Sequence, residues 1–129
     1  MATTGAVLVF NYVTGTGYVQ GQKIIPLDFA SDSLAEVNFG LSLELNFAGD
    51  TFVVGGYSDQ NQVGSTWVFV RNERGLWIQN GNKLRASDLT GAAPGQGIVV
   101  AIARETALVV VSSVINDTAL NVNAIVIFQ

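Results

Sequence analysis

The 129-residue chain has no cysteine and no histidine. Disulfides, thiolate metal sites, imidazole ligation and Cys–His or Ser–His catalysis are excluded together. Charge is also scarce, at 12% of residues, about half the usual share. The six cations, Lys23, Arg71, Arg74, Lys83, Arg85 and Arg104, are scattered along a chain of net charge −4. Binding to DNA or RNA needs a clustered basic face that releases counterions, so no nucleic-acid partner is expected. Arg71, Arg74, Lys83 and Arg85 flank one predicted hairpin and read as a solvated edge. Long hydrophobic runs are missing too. Gly97 to Ala103 and Ala107 to Val111 are too short to span a bilayer, and no membrane insertion is expected. Met1-Ala2-Thr3-Thr4-Gly5 carries neither a basic nor an apolar segment, so no signal peptide is read there; a processed start would look the same. Without cysteine the redox compartment stays open, with an extracellular, cell-surface or virion setting favoured.

Hydrophobic residues are abundant, at 49%. A surface with so little charge seldom belongs to a free monomer, because solubility normally relies on charge. Two readings follow: much of the surface is covered by other copies, or a two-layer β protein exposes Thr, Ser, Asn and Gln instead.

A search for self-similarity is productive. Gly5-Ala6-Val7-Leu8-Val9-Phe10 recurs as Gly64-Ser65-Thr66-Trp67-Val68-Phe69, and again as Asn123-Ala124-Ile125-Val126-Ile127-Phe128. The phenylalanines stand at 10, 69 and 128, two spacings of 59. Tyr18-Val19-Gln20 matches Trp77-Ile78-Gln79 at the same offset. Ala30-Ser31-Asp32 matches Ala86-Ser87-Asp88 at 56, Gly40-Leu41-Ser42-Leu43 matches Gly97-Ile98-Val99-Val100 at 57, and Asp50-Thr51 matches Glu105-Thr106 at 55. A single domain over 1–129 is expected, with one repeat at 5–63, a second at 64–122 and a terminal strand at 123–129.

The strands predicted are Ala6–Tyr12 and Tyr18–Lys23, then Leu41–Phe47, Thr51–Gly55, Ser65–Asn72 and Leu76–Asn80, then Ile98–Arg104, Ala107–Ser112 and Asn123–Gln129. Val, Ile, Phe, Tyr and Thr dominate them, as pleated packing favours. Breakers fall between them at Ala48-Gly49-Asp50, Ser58 to Gly64, Asn72 to Gly75, and Gly91 to Gly97 with Pro94. Less than about a tenth of the chain is expected to be helical, since no 3.6-residue period appears; Ala30–Val37 allows one turn at most. Trp67 and Phe69 should point one way and Val68 and Val70 the other, so both faces of that strand are apolar. Two-sided burial suits a sheet packed between neighbouring sheets, whereas a plain sandwich strand alternates apolar with polar. The fold class is therefore all-β, with two four-stranded repeats of about 59 residues packed like propeller blades; the alternative is a β-sandwich whose outer face a partner covers.

The chain resembles an FG-GAP-type β-propeller repeat. Phe39-Gly40 with Leu41-Ser42-Leu43 resembles the first strand of a blade, and Asp50-Thr51-Phe52-Val53-Val54-Gly55-Gly56 the second. Gly64-Ser65-Thr66-Trp67-Val68-Phe69-Val70-Arg71 and Leu76-Trp77-Ile78-Gln79 resemble the third and fourth. Lys83-Leu84 to Thr90-Gly91-Ala92-Ala93 resembles the linker of bacterial and giant-virus members. The resemblance covers most of 39–113. Two departures matter. The calcium loop of many members is reduced here to Ala48-Gly49-Asp50 and Arg104-Glu105, which cannot supply the six to eight oxygens calcium takes; no metal site is expected. The second copy also replaces the Gly-Gly end by Ser112-Ser113.

Candidate carboxylates are Asp28, Asp32, Glu36, Glu44, Asp50, Asp59, Asp88, Glu105 and Asp117. Glycoside hydrolysis needs two that face each other at a set separation, whereas these fall at loops and turns, where Asp bonds the backbone. Glu44 is the exception and is expected on a solvent edge. No enzyme activity and no cofactor are expected. Gly15-Thr16-Gly17 is too short for a phosphate loop, and Asn116-Asp117-Thr118 matters as a glycosylation sequon only in a eukaryotic secreted protein. A sugar pocket would combine Tyr57, Asp59, Asn61, Trp77, Gln79 and Asn80, although Trp77, in phase with Tyr18, equally fits packing between blades. The expected function is structural: homo-oligomerisation into a ring or filament, with a carbohydrate-binding module or a virion component as alternatives. Propellers close with about four to eight blades, and this chain has material for two. The strands expected to mediate assembly hold Ala6, Val7, Leu8, Val9 and Phe10 at one end, and Ala124, Ile125, Val126, Ile127 and Phe128 at the other.

Overall fold

The computed structural model describes residues 4–30, 36–87, 94–104, 109–115 and 122–128. Among these described residues nine strands follow one another: β1 (Val7–Val13), β2 (Gly17–Ile24), β3 (Ser42–Leu45), β4 (Thr51–Gly56), β5 (Ser65–Arg71), β6 (Trp77–Gln79), β7 (Val100–Ile102), β8 (Val109–Ile115) and β9 (Val122–Phe128). One helical turn, α1 (Asp59–Gln62), lies between β4 and β5. The protein is all-β, as its residue types dictate. The strands form three antiparallel sheets: β1-β2, β3-β4-β5-β6 and β7-β8-β9. The one-turn helix expected near Ala30–Val37 and the sequon at Asn116 lie largely or wholly outside the described residues, as do Gln129, Ala107 and the segment 88–93.

The hairpin turns fall where the breakers sit. Asn46 Oδ1 accepts the N–H groups of Asp50 and Thr51, each at 3.1 Å, while its amide donates to Asp50 Oδ1 at 2.7 Å. The donors on Asn46 and Thr51 hold the exposed Asp50 carboxyl below its ordinary value. Asn72 closes the next hairpin in the same manner, accepting from the N–H groups of Arg74 (3.0 Å) and Leu76 (2.9 Å). These side chains satisfy backbone donors that a turn leaves unpaired.

Registers recur between sheets. In β3-β4-β5, Leu45 opposes Phe52 and Phe52 opposes Phe69; in β7-β8-β9, Ile102 opposes Val109 and Val109 opposes Phe128. Leu43 opposes Val54 as Val100 opposes Val111. Phe69, Val70 and Arg71 oppose Gln79, Ile78 and Trp77, as Phe10, Asn11 and Tyr12 oppose Gln20, Val19 and Tyr18. The ladder thus sets β8 at 57 residues from β4, two beyond the offset of the Asp50-Thr51 and Glu105-Thr106 match. Sheet-to-sheet joints also occur in pairs. Phe39 N–H donates to Thr4 O and Gln96 N–H to Val63 O, both at 2.9 Å, beside parallel bridges Gly5–Phe39 and Gly64–Gln96. Gly5 and Gly64 have φ of 79° and 81°, and a Cβ on either would lie 2.2 Å from the facing carbonyl oxygen. Only glycine fits both demands.

The four-stranded sheet is buried on both faces. Phe52, Val54, Trp67 and Phe69 join Ile24, Val37 and Phe39 in one cluster, against which Val7, Val9, Phe29 and Trp77 pack. Val53 joins Val100, Val109 and Val111 in a second, flanked by Val68, Ile102 and Phe128. Neighbouring residues of β5 therefore enter different cores, as its two-sided apolar pattern requires. Phe52 stacks on Phe69 (centroids 5.1 Å apart), and Phe39 meets Trp67 edge-on at 5.4 Å. Such aromatic pairs add about 0.5–1.5 kcal/mol each beyond burial.

Candidate functional site

Two carboxylates hold the first interface together. Asp28, in the chain leaving β2, accepts from Trp67 Nε1 (2.8 Å) and Gln79 Nε2 (2.9 Å) on Oδ1, and from the Lys83 N–H (2.7 Å) on Oδ2. Burial pushes its pKa up, but the donors on Lys83, Gln79 and Trp67 outweigh it and hold the carboxyl below its ordinary value. Asp59 is fully buried. It accepts from Ala30 N–H at 2.8 Å, and from Ser65 Oγ and Lys83 Nζ, each at 2.6 Å. Lys83 therefore bonds Asp28 through its backbone and Asp59 through its side chain. With their oxygens occupied by intramolecular donors, these two groups tie the segment after β2 to β5, β6 and the segment after β6. Among the described residues, no group of three or more Asp, Glu, His or Cys side chains could hold a metal ion.

The six residues read as a sugar pocket are spread over several environments. Tyr57 is half-buried and Asn61 is exposed, in a turn where Gln60, Asn61 and Gln62 have φ of 52°, 58° and 69°. Asp59 is spent on Lys83. Trp77 is half-buried with its ring 4.7 Å from that of Phe52, and its backbone N–H donates to Gln22 Oε1 at 2.7 Å. Gln79 bonds Leu27, Asp28 and Gly81. Asn80 lines a cleft of ≈ 560 Å³ between the second and third sheets, together with Val68, Val70, Val109 and Phe128. At its rim the Arg104 guanidinium lies 3.9 Å from the Phe47 ring centroid. Glu44 is exposed, as expected.

The strands read as assembly elements have two unlike faces. On β1, Val7 and Val9 turn inward, while Leu8, Phe10 and Tyr12 are 49%, 52% and 67% exposed. Tyr18 of β2, 76% exposed, opposes Tyr12, their rings edge-to-face at 5.5 Å. Ala6 precedes β1 and is half-buried. On β9, Ala124, Ile125 and Val126 pair with Ser113, Ser112 and Val111. Phe128 packs inward and Ile127 is 55% exposed, in one row with Val110 and Ala101. Leu43 and Leu45 of β3 are also exposed. Leu8, Phe10 and Tyr12, at alternate positions of β1, are exposed together with Tyr18, the residue opposite Tyr12. Tyr12 and Lys83 were missed in the sequence. The tight Thr14-Gly15-Thr16 turn, which brings Tyr12 opposite Tyr18, was the available signal for the first; nothing local signals the Lys83–Asp59 pair, which spans 24 residues.

Comparison with known proteins gives no relative: no family model matches the chain, and no curated protein or solved structure matches it either.

Proposed function

We propose that this protein is a non-enzymatic structural component that assembles with copies of itself through blade-like sheets, into a ring or a filament. The observation that carries the reading is the exposed apolar row Leu8, Phe10, Tyr12 and Tyr18. Phe10, Tyr12 and Tyr18 stand at register positions that β5 and β6 fill with Phe69, Arg71 and Trp77, and Leu8 matches Trp67 in the sequence. On the central sheet Trp67 and Phe69 are buried by the neighbouring sheet. A face so built, with little charge around it, favours cover by another chain. The matching registers of the three sheets, at displacements near 59, support the blade-like unit. Light scattering coupled to size exclusion tests this on the intact chain. A mass of several protomers is expected, and a stable, folded monomer at every concentration would refute it.

A further inference from the structure

The three sheets carry different subsets of one register. Taking β3-β4-β5-β6 as the full set, β7-β8-β9 supplies the counterparts of its first three strands, and β1-β2 the counterparts of its last two. Counterparts of β5 therefore occur at both ends: Phe10, Phe69 and Phe128 hold one position. Among the described residues, β1 has no strand on the edge away from β2, and β9 has none on the edge away from β8.

We propose that β1-β2 of a second copy displaces β9 from the edge of β8, and completes the third sheet as β7-β8-β1-β2. This exchange rests on the self-assembly proposed above and names the surfaces that meet. In the register of β8 with β9, Val109 opposes Phe128 and Val111 opposes Val126. The incoming strand brings Phe10 opposite Val109 and Leu8 opposite Val111, apolar for apolar.

Three features of the structure are accounted for at once. First, the exposed row Leu8, Phe10, Tyr12 and Tyr18 turns onto the same face of the central sheet that now receives Phe128. Second, the cleft between the second and third sheets gains an occupant. Within the central sheet Trp77 of β6 lies against Phe52 of β4; the counterpart of Phe52 is Val109, which lines the cleft with Phe128 and Val68. Tyr18, the counterpart of Trp77, enters there. Third, the exposed Leu43 and Leu45 oppose Val54 and Phe52, members of the cluster against which Val7 and Val9 of β1 pack, and β7 and β8 of the partner would come to lie over them. Their outward Ala101 and Val110 would cover these leucines as Val7 and Val9 pack against the cluster that holds Trp67 and Phe69. In the free chain β9 is thus a placeholder: it shields β8, an open edge that would otherwise recruit strands at random. The same contact used head to tail is heterologous and propagates until it closes or extends.

The chain has no cysteine, so engineered pairs are unambiguous. In Val109→Cys/Phe128→Cys, oxidation ties β9 to β8. The locked protein is expected to stay monomeric and its reduced form to assemble like the wild type. In a mixture of single variants Phe10→Cys and Val109→Cys, marked by different masses, a disulfide joining the two chains is expected. An oxidised, locked protein that still reaches the wild-type mass, or an assembled mixture that forms no such disulfide, overturns the exchange and leaves self-assembly standing. A wild-type chain that never leaves the monomer overturns both.

Discussion

Phe69 on β5 and Phe10 on β1 hold the same position in their ladders, opposite Gln79 and Gln20, and Trp67 and Leu8 stand 59 residues apart like them, yet the first of each pair is buried and the second half exposed. The central sheet differs from its neighbours in company rather than in pattern. It has a sheet on each face, whereas among the described residues β1-β2 and β7-β8-β9 each pack on a sheet through one face only. Burial is a property of neighbours, so a strand apolar on both sides is a demand for two partners. The outer sheets make the demand and the chain itself meets only half of it.

Matched truncations test this contrast with the largest expected effect. Trp67→Ala should cost about 3–5 kcal/mol of unfolding free energy, as removal of a fully buried aromatic does. Leu8→Ala should cost under about 1 kcal/mol in the dilute monomer, and its deficit should grow with concentration if a second copy covers it. Urea unfolding at two concentrations reads both. Equal costs at low concentration would erase the distinction between the sheets.

The two carboxylates sharpen the comparison next. Lys83→Met leaves the fully buried Asp59 without its cation, which should destabilise by about 3 kcal/mol because an uncompensated buried charge remains. Adding Asp59→Asn should recover part of that loss. Asp28 gives a smaller effect with a pH signature. Its folded pKa is depressed, so its contribution is present above the unfolded value near 3.8 and is lost as pH falls through the folded one. Asp28→Asn should cost about 1–3 kcal/mol at neutral pH, since its amide would face the Lys83 N–H with a donor. The gap to wild type should narrow as pH falls below the unfolded value near 3.8 and on through the lower folded one; a constant gap in thermal melts would contradict the assignment. The smallest effect belongs to Asn72→Ala, about 1 kcal/mol, confined to the β5–β6 hairpin and visible as faster amide exchange at Arg74 and Leu76.

Much of the all-β fold was legible in the sequence because strand faces repeat every two residues and turns need Gly, Asn and Asp. The hairpins at Asn46 and Asn72 sit at the predicted breakers. Ends were harder to place: Leu41–Phe47 shortens to Ser42–Leu45 and Ile98–Arg104 to Val100–Ile102, since apolar residues continue past the last ladder bond. The 55-residue match of hairpin tips followed turn composition, whereas the backbone pairing counts 57. Less was legible of the side-chain sites. Asp59 sits in a Ser-Asp-Gln-Asn stretch that reads as solvated loop, and its burial depends on Ala30, Ser65 and Lys83 meeting it from three separate segments. Nor does the sequence mark Leu8 as exposed, because its pattern is that of a buried strand.

The exchange of β9 for a partner's β1 is most directly read by hydrogen–deuterium exchange over a series of protein concentrations. In an antiparallel pair, alternate amides point to the free edge, so half of the β1 amides between Leu8 and Tyr12 are open when only β2 is beside it. These amides should gain protection as concentration rises, those of β9 should lose it, and β8 should stay protected throughout. An exchange pattern identical at every concentration, with β1 open and β9 closed, would contradict the assembly of this protein by strand replacement.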